Sequence, residues 1–221
     1  MSHPSRRRRR RWLLRLRRPD GCSCIRIQTA VLAERVAKQL NDTAGTALTR
    51  ENVILTNGSD EVRNFAFMAF CDSDTPAVFP DITYGFYPVF ADMNNVPYCE
   101  IPLDGEFRIN PEDYYNAGGT IFIANPNAHT GIFLAKSDIE NIIINNPGNV
   151  VIVDEAYIDF GGESCVDMIE KYDNLLVIQT YSKSRSLAGA RLGFGVACKD
   201  LVRDLNTIMN STNPYNINAV T

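Results

Sequence analysis

Histidine is nearly absent: only His3 and His129 occur in 221 residues. A Ser–His–Asp hydrolytic triad would therefore have to rest on His129 alone. No Gly-Lys-Ser/Thr phosphate loop is present. The six cysteines, Cys22, Cys24, Cys71, Cys99, Cys165 and Cys198, form no CxxC pair and no Cys/His set with zinc spacing. Several lie in apolar runs, as buried free thiols do, which points to a reducing compartment and hence the cytoplasm. No apolar run reaches the ~18 residues a membrane span needs. The N-terminus has no apolar segment of the length a secretory signal requires.

Basic residues are scarce in the body of the chain. Nine of the 22 lysines and arginines are arginines within residues 1–18, a segment without an acid. The remainder carries 13 basic against 26 acidic side chains. An acidic body argues against a nucleic-acid groove. The head "MSHPSRRRRRRWLLRLRRPDG" holds six consecutive arginines, which cannot pack. Residues 1–20 read as a disordered or artefactual head; a transit segment and an RNA or membrane-surface tail are the alternatives.

Hydrophobic residues make up 45% and charged residues 22%, so a sizeable core can form. Short apolar β-branched runs alternate with helical patterns. Strands are predicted at 52–55, 76–79, 96–101, 120–125, 150–154, 174–180 and 193–198. Helices are predicted at 29–40, 60–70, 136–146 and 200–209, with a helix or extended turn over 83–93. This alternation implies an α/β fold, a mostly parallel sheet flanked by helices in three layers. The unbroken apolar runs agree, because strands buried on both faces lose the period-2 pattern.

Open α/β sheets bind ligands beyond the carboxyl ends of their strands. Four predicted strands deliver polar residues there: "NGSDE" (57–61), "NPNAHTG" (125–131), "DEAYIDF" (154–160) and "YSKS" (181–184). Singly, each has a plain explanation. Gly58, Ser59 and Asp60 form a helix start, and such a start also receives phosphate through its N–H groups. Asp154 closes an apolar run and needs a partner, either a loop amide, an arginine or a protonated ring nitrogen. "NPNAHTG" has turn composition. Lys183 sits between Ser182 and Ser184 at the end of a core strand, with Arg191 eight positions on. A lysine is placed so when its amine does chemistry or meets an anion.

Taken together, "NGSDE", "TYGFY", "NPNAHTG", "VVIVDEAYIDF", "YSKSRSLAGARLGF" and, more weakly, "NPYNINAVT" resemble fold-type I pyridoxal-phosphate enzymes of aminotransferase class I/II, and within them the histidinol-phosphate aminotransferase family. The resemblance covers residues 53–221. It implies the large domain of a PLP-dependent transferase over residues 21–221. It implies that Lys183 bonds the cofactor aldehyde, Asp154 pairs with the pyridine nitrogen and Tyr157 donates to the ring's phenolic oxygen. By the same resemblance Tyr84 stacks on the ring. Ser182, Arg191 and the backbone at Gly58, Ser59 and Asp60 hold the phosphate.

Three departures accompany the resemblance. His129 stands where the family has proline, and Ala128 where it has asparagine, so the asparagine reaching the ring oxygen is read as Asn127, displaced by one. Arg18 stands where the family has a tyrosine that reaches the partner subunit's phosphate site. The family's small C-terminal domain, which supplies an arginine for the substrate carboxylate, is missing. The expectation is thus an incomplete large domain whose turnover by itself is in doubt. The implied reaction moves an amino group from L-histidinol phosphate to 2-oxoglutarate, in a homodimer without membrane attachment. An aromatic-amino-acid transaminase, a threonine-phosphate decarboxylase and a non-catalytic homologue are the alternatives.

Overall fold

The computed structural model of the protein describes residues 23–212, with side chains from residue 30 onward. The arginine-rich head, Arg18 and the "NPYNINAVT" stretch lie outside the described residues.

Seven strands form one mixed sheet. They are β1 (Val53–Asn57), β2 (Ala77–Pro80), β3 (Tyr98–Ile101), β4 (Thr120–Ala124), β5 (Val151–Asp154), β6 (Leu175–Thr180) and β7 (Leu192–Ala197). Their spatial order is β1-β7-β6-β5-β4-β2-β3. The ladders from β3 through β2, β4 and β5 to β6 are parallel. Only β7 runs against the rest: it pairs antiparallel with both β6 and β1. Two reversals restore the direction, so β1 points the same way as β4, β5 and β6. Every residue of β4, β5, β6 and β7 is buried. Successive side chains of a strand point to opposite faces, so both faces of the sheet are covered. The edge strand β3 is largely exposed.

The helices are α1 (Ser23–Ala44), α2 (Ser59–Phe70), α3 (Phe86–Met93), α4 (Lys136–Ile144) and α5 (Lys199–Thr212). Each buries one apolar stripe at helical spacing. In α1 the stripe is Ala33, Val36, Ala37 and Leu40; in α4 it is Ile139, Ile142 and Ile143; in α5 it is Leu201, Val202, Leu205 and Met209. Helix α2 packs on β7, β1 and α5. All predicted elements are present, with ends moved by a few residues. The segment predicted as helix or turn over 83–93 becomes helical from Phe86.

This topology positions the site. Asn57, Ala124, Asp154 and Thr180 end four strands on one edge of the sheet. The antiparallel β7 begins at that same edge, where Leu192 pairs with Asn57.

Candidate active site

Beyond the strand ends lies an open cleft of about 640 Å³, mouth included. Its lining draws on five loops. Gly58, Ser59 and Asp60 come from the β1–α2 junction and Tyr84 from the turn before α3. Ala128 follows β4, Asp154 and Tyr157 follow β5, and Ser182, Lys183 and Arg191 lie between β6 and β7. Nine of the ten residues singled out from sequence therefore meet in one place, across more than 130 residues of chain.

One end of the cleft joins a helix N-terminus to a guanidinium. Gly58 (φ +80°) turns the chain into α2, so the helix N-terminus opens on the cleft. A Cβ on Gly58 would stand 2.6 Å from Nη2 of Arg191, so the missing side chain lets that guanidinium close over the turn. Arg191 itself has left-handed backbone (φ +52°), and its carbonyl accepts the Gly58 N–H at 2.9 Å.

Lys183 projects from the loop after β6, its Nζ 5.3 Å from the centroid of the Tyr157 ring. That loop is braced. Arg185 grips Asp159 with both Nε (3.0 Å) and Nη2 (3.2 Å), and reaches Gln179 Oε1 at 2.9 Å. Ser184 also donates to Asp159. The Leu187 N–H closes back onto the Tyr181 carbonyl at 2.8 Å.

Asp154 is buried and receives four hydrogen bonds. Arg63 Nε donates to Oδ2 at 2.6 Å and Arg63 Nη2 to Oδ1 at 2.8 Å. The Tyr87 hydroxyl donates to Oδ2 at 3.1 Å and the Ala156 N–H to Oδ1 at 3.2 Å. Of the protein partners expected for this carboxylate, both the arginine and the loop amide are in place. Burial alone would push the Arg63 guanidinium down, but the charge and hydrogen bonds of Asp154 outweigh it and hold it above its usual value. Burial, with the adjacent Asp154 charge, raises the Tyr87 phenol well above its usual range. Arg63 Nη1 goes on to Ser59 Oγ (3.0 Å) and Asp60 Oδ1 (2.5 Å). Its plane lies 4.7 Å from the Tyr84 ring centroid. The Tyr84 hydroxyl donates to the same Asp60 oxygen at 2.8 Å, and burial together with that contact pushes it up to about 12.

The profile of the family described as "Aminotransferase class I and II" matches residues 21–217. The chain belongs to that family. Among curated proteins it is 50% identical over 173 residues to a histidinol-phosphate aminotransferase of Clostridium botulinum, covering 78% of this chain and 49% of that protein. It is 45% identical to the enzyme of that name from Lactococcus lactis, with the same coverage. The chain thus spans about half the length of the curated relatives it matches. Among solved structures, aspartate aminotransferase from Thermotoga maritima superposes with a TM-score of 0.79 at 20% identity, over 98% of this chain and 60% of that one. The histidinol-phosphate aminotransferase from Clostridium acetobutylicum gives 0.72 at 24% identity, over 85% and 56%. These two establish the class I and II fold.

Around this cleft, Asn127 stands apart from its expected place. Its amide donates to the Ile82 carbonyl at 2.7 Å, and its oxygen accepts the His129 N–H at 3.3 Å. Both ends of that amide are engaged by backbone groups, and it is Ala128, with no side-chain donor, that lines the cleft. The reading of Asn127 as the ring-oxygen contact is corrected accordingly: the turn aims residue 128, not 127, at the cleft.

Arg63 was not expected. The signal lay in α2, where Ser59, Arg63, Ala66 and Phe67 share one face at helical spacing. The last two are fully buried, so that face cannot meet water. An arginine on it needs a buried acid. Tyr87 sat in an apolar aromatic run and gave no comparable sign.

Proposed function

We propose that this chain holds the cofactor site of a transaminase that binds pyridoxal phosphate and takes an amine of the histidinol-phosphate type, with 2-oxoglutarate as acceptor. The carrying observation is the convergence in one cleft of a lysine amine, a buried carboxylate, two tyrosines and an anion-receiving helix start. The shared name of the curated relatives supports the substrate.

The donor set fits the cofactor. Lys183 supplies the amine for its aldehyde. Arg191, Ser182 and the backbone at Gly58, Ser59 and Asp60 supply charge and N–H groups for its phosphate. Gly58 leaves the space that a Cβ would fill beneath Arg191. Tyr84 would flank the ring, Tyr157 would donate to its oxygen, and Asp154 would meet its nitrogen end. When bound, pyridoxal phosphate supplies an electron sink for a carbanion at the substrate α carbon. The Lys183 amine would be the group to hold and move the proton at that carbon. Residues 21–221 are assigned to the cofactor-binding large domain.

A homodimer is the proposed assembly, and the exposed apolar stripe of Phe86, Val89 and Met93 on α3 supports it. The described cysteines are free thiols, which supports a reducing, cytoplasmic setting. Among the described residues no helix is long and apolar enough to cross a membrane.

The test is direct. Pyridoxal phosphate added to the protein should give a visible absorbance band that Lys183→Ala abolishes. Borohydride reduction followed by peptide mass spectrometry should place the label on Lys183. Histidinol phosphate should bleach the band, in preference to aromatic amino acids and threonine phosphate. A wild type without the band sinks the reading.

A further inference from the structure

Lys183 and Tyr157 line the cleft from two different loops. Two residues further along each loop, a second pair ties those loops together. Arg185 donates from Nε to Asp159 Oδ2 at 3.0 Å and from Nη2 to Oδ1 at 3.2 Å. A fork on one carboxylate fixes direction as well as distance. Ser184 donates to the same carboxylate. Burial would raise the Asp159 carboxyl, but the Ser184 hydroxyl and Arg185 hold it below its usual value, so the pair is charged at neutral pH.

This clamp is anchored in the sheet. Arg185 Nη2 also donates to Gln179 Oε1 at 2.9 Å, and Gln179 Nε2 donates to Glu155 Oε2 at 2.8 Å. Gln179 and Glu155 are both buried, one on β6 and the other just past the end of β5. The contacts thus close a ring through β5, β6, the Lys183 loop and the Tyr157 loop. The Arg185 guanidinium carbon stands 5.0 Å from the Tyr181 ring centroid and 5.9 Å from that of Phe194, which holds its plane. None of Arg185, Asp159, Gln179 and Glu155 lines the cleft.

Backbone bonds shape the turn at Lys183: the Ser186 N–H reaches the Lys183 carbonyl at 3.0 Å and the Leu187 N–H the Tyr181 carbonyl at 2.8 Å. These bonds stay within the turn. The hydrogen bonds to Asp159 are what span the gap to the Tyr157 loop. A lysine amine rides on a flexible four-carbon stem. The seat of its backbone therefore decides how often the amine meets an electrophile, and a misplacement of ~1 Å can cost ~100-fold.

Building on the cofactor reading above, we propose that Arg185 is a positioning residue: by clamping Asp159 it fixes the span between the Lys183 loop and the Tyr157 loop, and so sets how fast the Lys183 amine bonds an aldehyde held in the cleft. In that step the unprotonated Lys183 nitrogen forms a double bond to the aldehyde carbon. The aldehyde oxygen leaves as water with the two amine protons.

Two ligands of the full chain separate positioning from mere support. Pyridoxal phosphate carries the aldehyde; pyridoxine phosphate has an alcohol in its place and can only bind. Stopped-flow growth of the visible band with the first reads the bond at Lys183, and equilibrium dialysis of the second reads the cleft. Arg185→Met removes the fork and keeps an apolar stem against Tyr181 and Phe194. The band should then form roughly 10–100-fold more slowly while the affinity for pyridoxine phosphate stays within about twofold. Arg185→Lys, one charge without the fork, should recover part of the rate. A wild-type rate in Arg185→Met overturns the inference. A parallel loss of rate and affinity overturns it too, because Arg185 would then only support the fold. If Arg185→Met does not fold, Asp159→Asn breaks the clamp from its more exposed side. It should show the same split, and an unchanged rate there overturns the inference. A wild type that forms no bond at Lys183 sinks the proposed function and this inference with it. A wild type that bonds the aldehyde no faster than the variants sinks this inference alone.

Discussion

Gly193 lies against the backbone of Ser59: a Cβ at position 193 would stand 2.2 Å from the Ser59 nitrogen and 2.4 Å from the Gly58 carbonyl carbon. The first residue of α2 rests on β7 with no room for a methyl group. The helix start thereby reaches the edge where Lys183 and Asp154 emerge. Gly193→Ala must displace backbone, so its cost belongs at the top of the overpacking range, about 3 kcal/mol. Thermal unfolding should show Tm lowered by roughly 6–12 °C, with phosphate protection of the site lost. An unchanged Tm would mean that this contact is looser than described.

At Gly58 the obstacle is softer. There a Cβ would meet the far end of the Arg191 side chain, which can swing aside, while φ +80° adds strain for any L residue. Gly58→Ala should therefore cost roughly 1–3 kcal/mol in stability, all of it from the backbone. It should weaken cofactor retention at least tenfold, because Arg191 is pushed off the anion end. Equilibrium dialysis of pyridoxal phosphate, beside a melting curve, separates the two effects.

The Arg63–Asp154 pair should behave as a unit. Asp154→Asn leaves a guanidinium buried without its counter-charge, and breaking such a pair costs roughly 3–5 kcal/mol. The double variant Asp154→Asn/Arg63→Met removes both charges and should recover a large part of that loss. Urea unfolding of the two single variants and the double variant measures the coupling. Additive losses would show that the two side chains are not energetically linked.

Glu155, next to Asp154, is fully buried and accepts hydrogen bonds from the Cys165 N–H (2.6 Å), Ser164 Oγ (2.7 Å) and Gln179 Nε2 (2.8 Å). Burial outweighs these three donors and pushes its carboxyl up to about 7 from 4.5. Between those values the folded chain binds more protons than the unfolded one, so stability falls as pH rises through that window and levels off above pH ~7. The full span corresponds to about 3 kcal/mol. Glu155→Gln should flatten this slope. Denaturant midpoints of both proteins at pH 5, 6, 7 and 8 provide the check, and parallel curves would refute it.

The kind and order of the elements were open to reading from the residues themselves. Unbroken apolar runs such as "TIFIA" and "LLVIQT" cannot tolerate a polar face, so their burial on both sides follows from composition alone. The same runs show where they stop: at Asp154, at Ser182 and Lys183, at Gly58 and Ser59. A polar residue at the end of a buried strand has only the sheet edge to occupy. Nine of the ten chosen residues shared that edge for this reason.

What the chain order could not convey was which side chain answers which. Arg63 and Asp154 are 91 positions apart. Their meeting depends on α2 being carried beside β5 by a strand order that runs β1-β7-β6-β5. The choice between Asn127 and Ala128 turned on the path of a single loop, whose amides were satisfied locally. Helical and strand periods report which face a residue occupies, and that much belonged to the sequence by itself. The partner across the cleft is set by long-range packing and by the need to neutralise every buried charge, and only the tertiary structure decided it.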